Sequence, residues 1–528
     1  MYRHQIRGLA WLAAAILVVA GASMQDARAA VRDFVQPGDY AARPGAPLAP
    51  QTPTTVDPQK VLAGHLLRRL GFGPSKKEIK KVLKMGYNSY IDKQLNPNSI
   101  DDSKAFGKLP RVPNDFYDDY TLIRRWYIRM VWTQRLLQEK MTLIWHEHFS
   151  TSNQKVRAAG FMQDHEDLMR RYALGDFRSF LIDMTKDQAM LIWLDNNYND
   201  GNATDDQGNP LPPNENFARE FMQLFTMGTK TLNIDGTPKL NGSGDPYPPY
   251  AETDVREVAR ALTGWYAPWP YKHNNSQFGP QWHDEGNKTI LGTTLIGRTG
   301  NDGANEVGDV VNIILNGDPD RTNTVAAFIS KELIMKLATE TPSPAYVQAV
   351  ATAFRDSNWS IKAAVEAILK NPYFTDPTVV RNQYKEPIEQ YIGMIRALAG
   401  KTKGEELVGW TSDSAQLVYY PPSVFSFYPP GNKGALITTA TVFIRDRIAD
   451  EYARGWSNTF FNPSKLIGKY DLTTPTAVAD FLEDKMLAAP MATATRDEII
   501  NYMQGTVDED NLRGAIWLLL CSPDFQRN

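Results

Sequence analysis

Cysteine is almost missing from this chain: among 528 residues there is one, Cys521. No internal disulfide can form, and thiolate-rich metal sites such as zinc ribbons are excluded. Any metal would have to be held by His, Asp, Glu or Asn side chains. Cys521 follows Leu518, Leu519 and Leu520, the setting of a buried, inert thiol. There is no Gly-rich phosphate loop, no G-x-S-x-G elbow, no H-E-x-x-H helix and no haem-attachment cysteine pair. Nucleotide-binding, serine-hydrolase and zincin readings therefore lack their usual support. A charge excess is also lacking, with 57 basic against 60 acidic residues and a net charge of −3. A mildly acidic chain is a poor nucleic-acid binder. Beyond the N-terminal segment no apolar run is long enough to span a membrane.

What is present is ordinary for a globular protein: 42% hydrophobic and 22% charged residues, enough to build a large core. The N-terminus reads as a targeting segment. Arg3, His4 and Arg7 precede an apolar run from Leu9 to Ala22, and Ala27-Arg28-Ala29 fits the small-x-small cleavage rule. Residues 1–29 are expected to be a cleaved signal peptide and 30–56 a Pro/Ala/Gly-rich linker. Residues 57–528 are expected to form the folded domain, with length enough for two lobes. The destination that follows is the periplasm or outside the cell.

The folded part predicts a mainly α, large multi-helix single domain. Asp57-Pro58 is an N-cap with proline at the first helical position, and Ser75 with Glu78 is a capping box. Amphipathic spacing predicts helices over 118–149, 158–172, 177–185, 217–227, 253–262 and 324–337, and repeatedly to the C-terminus. A short β-like segment is expected near 282–297. No internal repeat stands out. The late stretch Tyr419–Gly434 (YYPPSVFSFYPPGNKG) carries too many prolines to be a helix.

The densest chemistry lies in 141–167, MTLIWHEHFSTSNQKVRAAGFMQDHED, which holds three of the seven histidines. Histidine beside carboxylate in an apolar frame suits metal ligation or proton transfer. His146 and His148 lie two apart, about 200° from one another on a helix but on one face of an extended segment. Either the helix ends near Trp145 and both ligate, or one alone faces a site. The bland reading is one core histidine and one exposed histidine. His165, beside Asp164, lies on the next helix, where the default is a solvated acidic face. Glu220 shares a helix face with Asn216 and is a candidate ligand or general base; the default is a pair with Arg219 or Arg260. His283 and Asp284 sit in a loop beside Trp282, where function concentrates. The 195–200 loop, with Asp195, Asn197, Asn199 and Asp200 before Gly201, is a candidate calcium site, although the glycine is out of register for an EF-hand. His65 falls on the apolar side of its helix, as core histidines do.

Several stretches resemble the hallmarks of a bacterial exported family, domain of unknown function 1800. They are HLLRRLGFGPS (65–75), MTLIWHEHFSTS (141–152), NENFAREFMQLFTMG (214–228), DVREVARALTGW (254–265), HDEGNKTILG (283–292) and PPSVFSFYPPG (421–431). The late motif departs from the family's usual Pro-Pro-Asn to Gly-Trp pattern. The resemblance implies export and a co-exported neighbour similar to the sulfatase and alkaline-phosphatase superfamily.

The expectation drawn from residues and resemblance together is a metal-dependent enzyme, hydrolytic ahead of oxidoreductive. His146, His148, His165 and Glu220 would hold a divalent metal, and Glu220, His283 and Asp284 would act in catalysis. The alternative is a non-catalytic exported scaffold or binding protein that assists a sulfatase/alkaline-phosphatase-like partner. Neither reading involves nucleic acid or a membrane span in the mature chain.

Overall fold

A computed structural model describes residues 56–528 apart from 113–114, 429–430 and 456. The expected signal peptide lies outside the described residues, as does nearly all of the expected linker. The described residues are mainly α, with 24 α-helices and two antiparallel two-stranded sheets. No described helix is long and apolar enough to cross a membrane. The chain divides into two compact units.

One unit comprises Met1–Tyr90 (described from 56), Val380–Gln416 and Lys433–Asn528. Its first helix, Pro58–Arg69, starts as the sequence dictates. Asp57 accepts from the Gln59 N–H at 2.9 Å, and Pro58 takes the position where no donor is needed. Ser75 caps Lys76–Met85 and donates to Glu78 at 2.7 Å. His65 is fully buried there. In the helix Glu509–Cys521 the thiol of Cys521 donates to Asp446 at 3.1 Å. Burial pushes that thiol well above its ordinary pKa, so it stays protonated and unreactive.

The other unit, Ile91–Val379 with Leu417–Asn432, contains every candidate site residue. The helical stretch expected over 118–149 is two helices, Asp119–Trp132 and Leu136–Phe149. Asp102 holds the break between them, accepting from the Thr133 hydroxyl at 2.8 Å and the Gln134 N–H at 2.6 Å. Behind them run Ala159–Tyr172, Phe177–Thr185 and the long helix Pro319–Leu337, with a core of Trp126, Met141, Trp145, Phe149, Phe161 and Phe180. One hairpin pairs Lys288–Ile290 with Thr293–Leu295, inside the expected β-like stretch, and the other pairs Trp265–Tyr266 with Gln277–Phe278.

Two local readings need correction. The helix expected over 253–262 runs Glu252–Ala261 with Ala251 as its cap, and the Asp254 carboxylate reaches back to accept from the Ala251 N–H at 2.8 Å. A repeat is also present. Thr204–Pro210, Leu232–Pro238 and Leu240–Pro246 are three copies of one seven-residue hook, each closed by a single β-bridge between its ends. The second residue (Asp205, Asn233 or Asn241) bonds across the hook, and the fifth is glycine at φ +83°, +77° and +87°. Only three positions of seven tolerate little variation, which is too little for recognition from sequence.

Candidate functional site

The helix Leu136–Phe149 runs unbroken through the histidines and ends at Ser150, which takes a left-handed conformation at φ 47°. The alternative in which the helix stops at Trp145 and both imidazoles ligate is therefore removed. At 100° per residue, His146, Glu147 and His148 point in three directions. His146 points into the core against Trp126 and Tyr419, with ring centroids 5.3 and 5.8 Å away. Glu147 pairs with Lys336, which donates to the Tyr428 hydroxyl at 2.5 Å. His148 Nδ1 lies 2.8 Å from Glu332 Oε2. Lys336 and Glu332 are one turn apart on Pro319–Leu337.

His146 is fully enclosed, and its Nε2 accepts from the Tyr419 N–H at 3.0 Å. Its proton therefore sits on Nδ1, which has no partner. Burial, with repulsion from nearby His165, pushes its pKa down to about 3. The imidazole is neutral at any physiological pH.

His165 comes from the Ala159–Tyr172 helix and is equally enclosed. Its Nδ1 lies 2.8 Å from Asp187 Oδ1. Asp187 is held in turn, because it caps Gln188–Trp193 by accepting from the Met190 N–H at 2.9 Å. Donation from Nδ1 leaves Nε2 as the acceptor, and that nitrogen has no partner. The hydroxyls of Thr151 and Ser152, just past the end of the His146 helix, are also buried and unbonded.

An ionic layer lies two turns back along the His146 helix, where Glu139 shares the face of His146. Arg170 binds Glu139 at 2.9 Å and also grips Glu166, while Trp126 Nε1 donates to Glu139 at 2.7 Å. Burial opposes the charge of Arg170, but the two carboxylates outweigh it and raise its pKa further. Burial raises the pKa of Glu166, whose second oxygen takes the Tyr419 hydroxyl. Tyr419 thus touches both layers, its backbone on His146 and its ring hydroxyl on Glu166. It sits at φ 66°, a conformation rare for a non-glycine residue, and its carbonyl accepts from the Asn153 N–H at 2.7 Å. Tyr420 donates to Asp119, and Val418 N–H donates to the Tyr127 hydroxyl at 3.2 Å. The late Pro-aromatic segment is therefore anchored on the histidine helix.

The remaining candidates have other partners. Burial raises the pKa of Glu220, and Arg219 opposes it; Arg219 itself pairs with Glu215 and Glu252. His283 Nδ1 faces the Thr263 hydroxyl and carbonyl at 3.3 and 3.2 Å, with Nε2 3.3 Å from buried Glu306. Glu306 also binds Lys288 at 2.8 Å. Asp284 receives Arg260 at 2.7 and 3.0 Å, which outweighs its burial and lowers its pKa. In the 195–200 loop, Asp195 meets Lys155 at 2.6 Å, Asn197 accepts from the Ala267 N–H at 2.8 Å, and Asp200 accepts from the Asn202 N–H at 2.8 Å. Its oxygens serve separate donors. No group of three or more His, Cys, Asp or Glu side chains suited to a metal ion occurs among the described residues.

Of the predicted residues, the structure brings His146 and His165 within electrostatic reach of one another and sets His283 and Asp284 in one network through Thr263 and Lys288, while His148 and Glu220 have neighbours of their own. Sequence reading missed Asp187, Tyr419 and Glu332. Asp187 looks like any helix cap, and its second role depends on a helix packed across from it. A family model described as "Protein of unknown function (DUF1800)" matches residues 65–527. No curated protein and no solved structure matches the chain.

Proposed function

The chain belongs to the DUF1800 family, and from that premise we propose that it is an exported enzyme, hydrolytic in type, whose reactive atom is Nε2 of His165. One observation carries the reading. A fully buried imidazole is oriented by Asp187 through one nitrogen and keeps a free lone pair on the other, beside a second imidazole whose N–H is also unbonded. Buried polar atoms are nearly always paired, and here two neighbouring buried rings each leave a nitrogen without a partner. The arrangement suits proton transfer. His165 takes a proton from water or a substrate hydroxyl, Asp187 stabilises the imidazolium that results, and the His146 N–H donates to the oxygen that gains charge.

The same geometry ranks proton transfer ahead of metal ligation. The Nε2 lone pair of His146 is used by the Tyr419 N–H, so of these two histidines only His165 has one to offer. A divalent metal held by His165 with an outer carboxylate is the second reading, because metal-bound histidines are commonly oriented by a carboxylate in this way. The calcium reading of the 195–200 loop gains no shared oxygen centre from the structure. The neighbours of the His165–Asp187 pair, Asp164 and Gln188, are tied to the segment around 273–275. Asp164 accepts from the Asn274 N–H at 2.8 Å, and Gln188 accepts from the Asn275 N–H at 2.9 Å.

The test is a screen of chromogenic esters, glycosides, and phosphate and sulfate esters with wild type and His165→Gln. Turnover falling by about 10²–10⁴ in the variant is the expected result. Turnover unchanged in His165→Gln overturns the assignment. Absence of any turnover favours the non-catalytic scaffold for a sulfatase/alkaline-phosphatase-like partner.

A further inference from the structure

The segment 268–278 reads Pro-Trp-Pro-Tyr-Lys-His-Asn-Asn-Ser-Gln-Phe, without one Leu, Ile, Val or Met. Trp269 on it is 73% exposed. Its ring meets Tyr271 at 5.2 Å, Tyr271 meets Phe161 at 4.7 Å, and Phe161 meets Phe116 at 5.2 Å. Phe116 then touches Tyr117, itself 51% exposed, at 5.7 Å. Five aromatic side chains thus form a continuous row with an exposed ring at each end. Phe116 is seated by Gly160, where an added Cβ would strike its ring. Around the row are exposed Lys272, His273, Asn274 and Gln277. Asp164 holds it from beneath, 2.9 Å from His273.

Exposed tryptophan and tyrosine rings backed by packed aromatics are costly to leave in water and are held rigid, as ligand walls are. We propose that this row binds a neutral polysaccharide. The C–H faces of sugar rings carry partial positive charge and stack on the negative faces of aromatic rings, while amide and imidazole groups meet the hydroxyls. A membrane surface would call for aliphatic side chains and several cations. The segment has no aliphatic side chain larger than proline and one lysine, with an acidic residue beneath it. A protein interface would enrich Met and Arg beside its aromatics and deplete lysine, whereas the segment has neither Met nor Arg and carries Lys272. The inference goes beyond the acid–base reading, because stacking needs neither His165 nor Asp187.

Affinity electrophoresis of the mature protein through gels holding α-glucan, β-glucan, xylan or mannan tests it. Retardation by at least one polymer is expected. Trp269→Ala should weaken it at least about tenfold, as loss of an exposed aromatic anchor does, and Tyr117→Ala should weaken it less. His165→Gln should bind as wild type, which separates failure here from failure of the catalytic reading. Tyr373→Ala, an exposed tyrosine with no ring contact to the row, controls for general effects of aromatic loss. Migration unchanged in all four polymers overturns the proposal. So does binding that survives Trp269→Ala and Tyr117→Ala together, or binding to anionic vesicles in place of the polymers.

Discussion

Replacing His146 by glutamine isolates the energetic cost of a buried neutral imidazole. In the folded chain its pKa is pushed down to about 3, against an ordinary value of about 6.5 in the unfolded chain. Between those values the unfolded state carries a proton that the folded state refuses. His146 therefore imposes no penalty above about pH 6.5, and stability is lost as the pH falls from there towards about 3. The slope is about 1.4 kcal/mol per pH unit inside that window, which integrates to about 2.5 kcal/mol between about pH 7 and about pH 4.5. Glutamine can still accept from the Tyr419 N–H but does not titrate. Wild type should be the more stable at pH 7, and the gap to His146→Gln should narrow by about 2.5 kcal/mol at pH 4.5. For a cooperative unit of about 300 residues that corresponds to about 4 °C in melting temperature. Scanning calorimetry of both proteins across the range reads the difference directly, with every other titrating group common to the two. Parallel melting curves, with a gap that does not change with pH, would refute the reasoning, because they would mean that His146 charges freely in the folded state.

Three further outcomes follow from the same geometry. Arg170→Met removes the cation from between buried Glu139 and Glu166 and should cost about 3–5 kcal/mol in equilibrium denaturation; a loss below about 1 kcal/mol would show that the carboxylates find other partners. Asp187→Asn retains an acceptor for the Met190 N–H but cannot hold the His165 tautomer. It should lower kcat by about 10²–10⁴ with KM little changed, and a change confined to KM would place Asp187 in substrate binding. Chelator treatment should leave the melting temperature within about 1 °C, because the proton-transfer reading needs no metal; a bound metal at a hundredfold over its dissociation constant would add about 2.7 kcal/mol, which its removal would take away. A larger drop that His165→Gln abolishes would put the metal reading first.

The helical character of the protein was legible in its sequence because it is set locally. Asp57-Pro58 and Ser75-x-x-Glu78 begin helices by bonding backbone groups within a turn of themselves, and the chain needs nothing distant to satisfy them. The concentration of histidine and carboxylate in 141–167 was legible too, and the fold sets two of its histidines, His146 and His165, near one another. Direction was not. Whether His146 and His148 share a face turns on where a helix stops, and Ser150 stops it only after both. The cap Asp187, which bonds His165 from 22 residues further along, carries no mark of that role, because capping alone accounts for its type. Tyr419 reaches His146 across 273 residues, and its tyrosine identity reflects a hydroxyl that meets Glu166 only after folding. Local backbone energetics wrote the helices into the sequence. The pairing of imidazole with carboxylate, and of Trp269 with the aromatic row behind it, was decided by packing, which alone sets which faces of those helices and loops meet.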